Sequence, residues 1–187
     1  MRIFLAGALG VIGRRLTPLL ARMGHHVTGT TRSPAKAEQI EALSADPVVV
    51  DVFDAEALRA AVSAARPEVV MHQLTDLPRA PGTPGYEDAL KGNARLRIAG
   101  TRNLMAAAQA AGAKRVIAQS IAFVYAPGEG PRAESDPLDT DAEGIRALTE
   151  GLTPCLGFPG GFLCGERRLG ASRDQCALFL GQRGVEM

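Results

Sequence analysis

The stretch Phe4–Leu16, FLAGALGVIGRRL, places Gly7, Gly10 and Gly13 at three-residue spacing between an apolar run and a helix-like pattern. In a strand, turn and helix, the first glycine permits a sharp turn and the second lets the backbone approach a pyrophosphate. The third lets the helix pack closely on the strand. The phosphates of the ligand then meet the amino end of this helix, where free N–H groups and the helix dipole favour negative charge. The spacing predicts a dinucleotide site, although a turn without a ligand uses such glycines too.

Two kinds of segment alternate beyond this stretch. Apolar runs typical of strands lie at 2–7, 25–32, 47–52, 67–74 and 114–120, and helical patterns lie at 11–23, 33–43, 55–65 and 89–113. Ser33 and Asp54 are predicted helix N-caps, and Gly24 ends the first helix. Strands rich in Val, Ile and Leu that alternate with helices are typical of a parallel sheet covered on both faces. We therefore predict an α/β fold with a doubly wound parallel sheet.

The composition bears on partners and setting. The chain has 187 residues, 46% of them hydrophobic, which is enough for one domain with an appendage. A net charge of +1 favours neither nucleic acid nor an anionic membrane, and no apolar run reaches the roughly 20 residues of a membrane helix. Three cysteines without metal-ligand spacing argue against a disulfide framework or a zinc site. We expect a cytoplasmic protein with a small-molecule substrate, no metal, and neither nucleic acid nor a membrane as partner.

The residues after the second predicted strand bear on the choice of cofactor. An acidic residue there would hold the ribose hydroxyls of NAD, but the chain has Thr30, Thr31 and Arg32. A guanidinium suits the 2′-phosphate of NADP, so the sequence favours NADP over NAD. The alternative is that Arg32 is a solvated loop charge. Asp51, after the third strand, either accepts a hydrogen bond from the adenine amino group or is a turn residue before the next helix.

Five segments follow one another in a set order: GALGVIG (7–13), VVDVFD (49–54), VVMHQL (69–74), the long helix with the fifth strand (93–120), and FVYAPG (123–128). In this order they resemble the extended short-chain dehydrogenase/reductase family, also called the NAD-dependent epimerase/dehydratase family. The resemblance covers residues 1–146 and implies an NAD(P)-binding Rossmann domain with oxidoreductase or epimerase/dehydratase activity. The predicted cofactor contacts lie at the glycine turn, at the strand ends and on the long helix. They are Gly7, Gly10, Val11, Ile12, Gly13, Thr31, Arg32, Asp51, Val52, Gln73, Leu74, Thr75 and Asn93.

The catalytic part of the family pattern matches less well. The family places Ser or Thr four positions before its VYG tyrosine, but here Ile121 holds that position and the hydroxyl lies at Ser120. Its Tyr and Lys follow as YxxxK, where the lysine lowers the pKa of the phenol for proton exchange. Neither Tyr86 nor Tyr125 has a lysine four positions on. We predict Ser120 and Tyr125 as catalytic candidates in an incomplete enzyme, with a non-catalytic NAD(P)-binding redox-sensing or regulatory module as the alternative.

Residues 147–187 differ in character from the rest. They hold all three cysteines and many glycines, and they do not continue the alternation of strands and helices. We expect a weakly ordered, truncated or frame-shifted end in place of the sixth strand and the substrate region that the family adds. The alternative is a divergent lid or interface segment.

Two further features carry their own expectations. His72, late in an apolar strand, is expected to be a hydrogen-bonded core residue rather than a general base. The helix of residues 90–111 is rich in small side chains. This helix either pairs with its counterpart in a homodimer or packs on the sheet.

Overall fold

The computed structural model describes residues 1–77, 83–119, 125, 126, 128, 136, 137, 139 and 162–164. The catalytic candidate Ser120 lies outside these residues, as do residues 147–161 and 165–187 of the predicted tail. The fold is therefore described up to the fifth strand, with one short strand beyond it.

One parallel sheet contains all six strands of the described residues. The strands are β1 (Arg2–Ala6), β2 (His26–Thr31), β3 (Asp46–Val49), β4 (Val69–His72), β5 (Arg115–Gln119) and β6 (Phe162–Cys164). Their order is β3-β2-β1-β4-β5-β6, and every neighbouring pair is parallel. The strand order reverses between β1 and β4, which opens a crevice at the carboxyl ends of these two strands. The predicted doubly wound parallel sheet is confirmed.

Helices connect the strands and cover the sheet. They are α1 (Gly13–Arg22), a 3₁₀ turn (Pro34–Lys36), α2 (Ala37–Glu41), α3 (Ala55–Ala65), α4 (Tyr86–Arg95), a π-helical turn (Leu96–Gly100) and α5 (Thr101–Ala110). The last three elements follow one another without a gap, so the predicted long helix is present with a π turn at its middle.

Two apolar layers form the core because successive strand residues point to opposite faces of the sheet. Phe4, Val70 and Val116 pack with side chains from α3 and α5, such as Val62 and Leu104. On the other face lie Ile3, Leu5, Val27 and Ile117, which pack with Leu20 of α1 and Ile40 of α2. Both faces of the sheet are therefore covered, as the apolar strands predict.

The segment around Ser33 differs from its prediction. The sequence predicts one helix over residues 33–43 with Ser33 as N-cap, but a 3₁₀ turn and a five-residue helix form instead. Ser33 does occupy the N-cap position, with Pro34 after it, but its side chain makes no capping hydrogen bond, and the prediction of one continuous helix is wrong. The backbone carbonyl of Ser33 accepts from the N–H of Lys36 at 3.0 Å, which closes the 3₁₀ turn that Pro34 begins.

The third strand ends earlier than predicted, at Val49 rather than at residue 52. The N–H of Val50 still donates to the carbonyl of Thr31 at 2.9 Å, and in the turn that follows the N–H of Phe53 donates to Oδ1 of Asp51 at 2.9 Å. This local bond holds the turn between the end of β3 and the start of α3.

The sixth strand was not predicted. Residues Phe162–Cys164 pair with Ile117–Gln119 of β5, within the segment that was expected to lack this strand. Three apolar residues among glycines are too short to give a period of two, so the sequence did not reveal the strand.

The cap at Asp54 provides a test of the turn that leads into α3. Its Oδ1 accepts from the N–H of Ala57 at 3.0 Å, as predicted. We expect Asp54→Ala to lower the free energy of unfolding by about 1 kcal/mol, because an orphan N–H loses its partner. Urea unfolding measures this change. Asp54→Asn is the matched control and retains most of the stability, and an equal loss in both variants would contradict the capping role.

Candidate functional site

The glycine turn brings three backbone segments into close contact at the crevice. Gly7 has a φ of +97°, and a Cβ there would lie 2.7 Å from the carbonyl oxygen of Gln73. A Cβ at Gly13 would meet the carbonyl oxygen of Gly7 and the backbone of Ala8. At Gly10 the nearest atom to an added Cβ is the Gly7 oxygen, at 3.3 Å. Packing within the chain therefore excludes a side chain most strongly at Gly7 and Gly13.

The amino end of α1 follows the turn and is open to solvent. Val11 is 87% exposed and Ile12 is 45% exposed, and the first turn of α1 carries no acidic side chain. Free N–H groups and the helix dipole at such an end favour an anion. The predicted contacts Val11 and Ile12 lie at this helix end, and their contact with a pyrophosphate stays a prediction.

A cavity of about 310 Å³ lies at the carboxyl ends of the strands on the β2 and β3 side of the crevice. It lies between the ends of β2 and β4, the turn after β3 and the last two turns of α4. Its lining is Ala6, Thr30, Thr31, Arg32, Val50, Val52, Phe53, Leu58, Leu74, Thr75, Asp76, Gly92, Arg95 and Leu96. The cavity has apolar walls, polar groups at its edges and the size of a small-molecule site.

Five of the predicted contacts line this cavity, namely Thr31, Arg32, Val52, Leu74 and Thr75. The glycine-turn residues are not part of its lining. The remaining predicted contacts, Asp51, Gln73 and Asn93, form hydrogen bonds with the backbone near the cavity. Sequence analysis missed three polar or aromatic lining residues, Phe53, Asp76 and Arg95. Arg95 and Leu96 follow Gly92 by three and four residues across the end of α4 and the start of the π turn, which is the one sequence pattern that indicates a shared face.

Asp51 is used as a turn residue. Its Oδ1 accepts from the N–H of Phe53, and its side chain does not line the cavity. This is one of the two roles considered for Asp51 from the sequence. The contact with an adenine amino group stays a prediction.

Gln73 and Asn93 lie at the turn after β4. The Oδ1 of Asn93 accepts from the N–H of Asp76 at 3.0 Å, so Asn93 joins α4 to this turn. The N–H of Gln73 donates to the carbonyl of Ala6 at 2.8 Å, while the Oε1 of Gln73 is buried and has no hydrogen-bond partner among the residues that the structure describes. An unsatisfied buried oxygen costs about 1–3 kcal/mol, which a ligand hydroxyl in this crevice would offset. The glycine turn, the cavity and this oxygen together fit an NAD(P) molecule.

His72 is buried at the end of β4 and forms a hydrogen bond with the turn that follows this strand. Its Nδ1 accepts from the N–H of Leu74 at 3.3 Å, which leaves the hydrogen on Nε2, 2.9 Å from Oγ1 of Thr101. Burial, assisted by the nearby cation of Arg97, lowers the pKa of His72 to about 4. His72 is therefore a neutral core residue, as expected from the sequence, and it positions the backbone of Leu74.

Arg97 belongs to the π turn and is buried at the end of β5. Its Nη1 donates to the carbonyl of Gln119 at 2.9 Å, and burial lowers its pKa. The guanidinium thus holds the last residue of β5, immediately before Ser120. A sequence pattern alone would place this arginine on a solvated helix face.

Of the two catalytic candidates, the structure describes only Tyr125. Tyr125 is partly buried and packs against the core cluster that contains Phe4 and Val70, and it does not line the cavity. Ser120 lies outside the described residues. Their catalytic role stays a prediction.

The described residues contain no group of three or more His, Cys, Asp or Glu side chains that could hold a metal ion. Within the same part of the chain, no helix has both the length and the apolarity that crossing a bilayer requires.

Comparison with known families matches residues 7–147 to a model described as NAD(P)H-binding. The chain belongs to this NAD(P)H-binding family. The predicted NAD(P)-binding Rossmann domain is thereby confirmed, and the glycine turn and cavity described above lie in it.

Two reductases are similar to the NAD(P)H-binding domain in sequence. A 3-diazoavenalumate denitrifying reductase of a Streptomyces species is 47% identical over 143 residues, which are 76% of this chain and 45% of that protein. A dTDP-4-dehydrorhamnose reductase of Streptomyces griseus is 33% identical over 151 residues, 80% of this chain and 42% of that protein. The chain spans less than half the length of either relative.

Two solved enzyme structures share the fold. The Bordetella bronchiseptica enzyme WbmG, in complex with NAD and UDP, has a TM-score of 0.69 at 22% identity, covering 87% of this chain and 51% of its own. The UDP-glucose 4-epimerase of Thermotoga maritima has a TM-score of 0.71 at 18% identity, covering 87% of this chain and 54% of its own. The NAD(P)H-binding domain therefore has the fold of extended short-chain dehydrogenases/reductases.

The packing at Gly13 gives a prediction about the glycine turn. We expect Gly13→Ala to lower the free energy of unfolding by about 3 kcal/mol, since backbone rather than flexible side chains would have to shift. Gly10→Ala, with its nearest neighbour at 3.3 Å, should lower it by only about 1 kcal/mol. Urea unfolding of both variants measures the difference. Equal losses would show that the helix does not pack on the turn as described.

The buried His72 gives a prediction about pH. The unfolded chain binds a proton at the ordinary pKa of 6.5, whereas folded His72 binds one only near 4. The free energy of unfolding should therefore fall as the pH drops from 7 towards 4, with His72 contributing about 2 kcal/mol of the loss at pH 5. Urea unfolding at pH 7 and pH 5 should show a smaller fall for His72→Gln. His26→Gln, which alters a surface histidine paired with Asp46, should keep the His72 contribution, and identical falls in both variants would contradict it.

Proposed function

We propose that the chain binds NADPH and serves as a reductase of the extended short-chain type that acts on a small organic molecule. The observation that carries this proposal is the position of Arg32, which follows β2 directly and lines the cavity. No acidic residue occupies the end of β2, where a carboxylate would bind the ribose hydroxyls of NAD.

The charges of the cavity support NADPH over NADH. Its lining contains two guanidinium groups, Arg32 and Arg95, and one carboxylate, Asp76. A phosphate on the adenosine ribose adds up to two negative charges, which arginine binds through parallel N–H donors. The hydroxyl of Thr31 lines the cavity next to Arg32 and supplies a neutral hydrogen-bonding group.

The other residues of the site would bind and orient the cofactor. The glycine turn and the amino end of α1 suit the pyrophosphate, and the apolar side chains of Val52 and Leu74 suit the adenine ring. The buried Oε1 of Gln73 is an acceptor for a ribose hydroxyl. When bound, the nicotinamide supplies the hydride, so the protein needs only to place the substrate beside it.

Reduction is proposed rather than epimerisation because both sequence relatives described above are named reductases. The solved structures described above, one of them a UDP-glucose 4-epimerase, are similar at 18–22% identity, a level that supports the fold alone. We infer that Ser120 and Tyr125, after β5, lie nearest the substrate. Because no lysine follows either tyrosine at four positions, proton transfer here would not use the family's Tyr-Lys pair.

A non-catalytic redox-sensing or regulatory module is the second candidate. The missing YxxxK pair is the observation that favours it. Such a module would bind the cofactor at the same site without oxidising it. Fold does not separate the two candidates, since one scaffold serves both roles.

Titration with NADPH and NADH tests the cofactor proposal. We expect NADPH to bind more tightly, and Arg32→Glu to weaken NADPH at least about tenfold with little effect on NADH, because a charge-assisted contact becomes a repulsion. Nucleotide fluorescence gives the Kd, and a hundredfold excess over Kd adds about 2.7 kcal/mol to stability in a melting curve. Arg102→Glu makes the same charge change at an exposed position of α5 and should leave both affinities unchanged.

Tighter binding of NADH, or equal losses for both nucleotides in Arg32→Glu, would contradict the NADPH preference. Oxidation of NADPH in the presence of an aldehyde, a ketone or a sugar nucleotide supports the reductase. Saturable binding without turnover of any of these substrates supports the regulatory module instead.

A further inference from the structure

Arg95 lies on the ring of Phe53 at the edge of the cavity. It is in the last turn of α4, and its Cζ is 4.2 Å from the centroid of the ring. Both side chains line the same cavity as Arg32. A guanidinium over an aromatic face is attracted by the ring quadrupole, and its planar group is thereby held in a preferred orientation.

The two elements that carry this pair are held in place by hydrogen bonds. The N–H of Phe53 is fixed by Oδ1 of Asp51, and α4 is joined to the turn after β4 by the bond from the N–H of Asp76 to Asn93. The Asp76 carboxylate packs against Gly92, one turn before Arg95, where an added Cβ would lie 2.9 Å from its Oδ2. The position of Arg95 at the cavity edge therefore follows from the surrounding backbone.

The charge of Arg95 has no ion-pair partner among the described residues. The two ion pairs found there join His26 to Asp46 and Arg59 to Glu56. Asp76 is the carboxylate that shares the cavity lining with Arg95, and it is not within ion-pairing distance of it. The lining of the cavity thus contains two cations, Arg32 and Arg95, that an anionic ligand could bind.

We propose that Arg95 is a second determinant of cofactor choice, and that it binds the phosphate on the adenosine ribose together with Arg32. This inference rests on the proposed function, because it requires an adenosine phosphate in this cavity. Arg95 makes no hydrogen bond or ion pair within the part of the chain that the structure describes, so its N–H donors are available to bind phosphate oxygens in a bidentate way. The competing role, stacking of the guanidinium plane on the adenine ring, would not depend on the phosphate.

Fragment binding separates these two roles. The probes are NADPH, NADH, adenosine 2′,5′-bisphosphate and adenosine 5′-monophosphate, titrated against the full chain by calorimetry. Arg95→Met keeps an unbranched side chain on Phe53 and removes the charge, whereas Arg95→Lys keeps the charge and removes the planar fork. Arg102→Met, at an exposed position of α5 outside the cavity lining, is the matched control.

We expect Arg95→Met to weaken NADPH and the 2′,5′-bisphosphate about tenfold, with less than about a twofold change for NADH and the 5′-monophosphate. Arg95→Lys should fall between the wild type and Arg95→Met, and Arg102→Met should match the wild type. Raising the salt concentration should reduce the difference between the wild type and Arg95→Met, because the contact is electrostatic.

Equal weakening of all four ligands in Arg95→Met would overturn the phosphate role in favour of stacking on adenine. Unchanged affinities in Arg95→Met would overturn any contact. Arg95-dependent binding of the 2′,5′-bisphosphate without turnover of NADPH would support this inference while the proposed reductase fails. Failure of the wild type to bind any of the four ligands would overturn both.

Discussion

The close approach of backbone at Gly7 is the constraint on which the rest of the site depends. The turn after β1 must fit between the end of β4 and the start of α1, and a Cβ at Gly7 or Gly13 would overlap backbone atoms of these neighbours. The N–H of Gly7 also donates to Oγ1 of Thr30 at 3.2 Å, which connects the turn to β2. Because the turn is bonded to β2 and packs against the end of β4, it fixes the position of the backbone that forms the crevice.

Polar side chains around the cavity mostly bond to the backbone rather than to one another. Asp51 holds the N–H of Phe53, His72 holds that of Leu74, and Asn93 holds that of Asp76. Each bond satisfies a loop donor that lacks a partner in the sheet, and each fixes a residue that lines the cavity. Several side chains that look like ligand contacts in the sequence therefore act on the loops that surround the ligand space.

Particular residues show which features of the fold and of the site could be predicted from the sequence. The apolar runs and the glycine spacing predicted where β1 to β5 lie along the chain, since buried parallel strands are nearly continuous apolar runs. The Asp54 cap was predictable because its partner lies three residues away in the chain. The missing side-chain cap at Ser33 was not predictable, because Pro34 starts a 3₁₀ turn in which the Ser33 carbonyl accepts from the N–H of Lys36. Arg95 was missed because its partner, Phe53, is distant in sequence.

The sequence by itself determined the fold class, the glycine turn and the presence of Arg32 where an acid would bind NAD. These features depend on local chemistry, namely the conformational freedom of glycine and the alternation of apolar segments. Only the tertiary structure decided which side chains face the cavity. Arg32, Phe53 and Arg95 come from three separate connections of the chain, and the sheet brings them together because its parallel strands end at one edge.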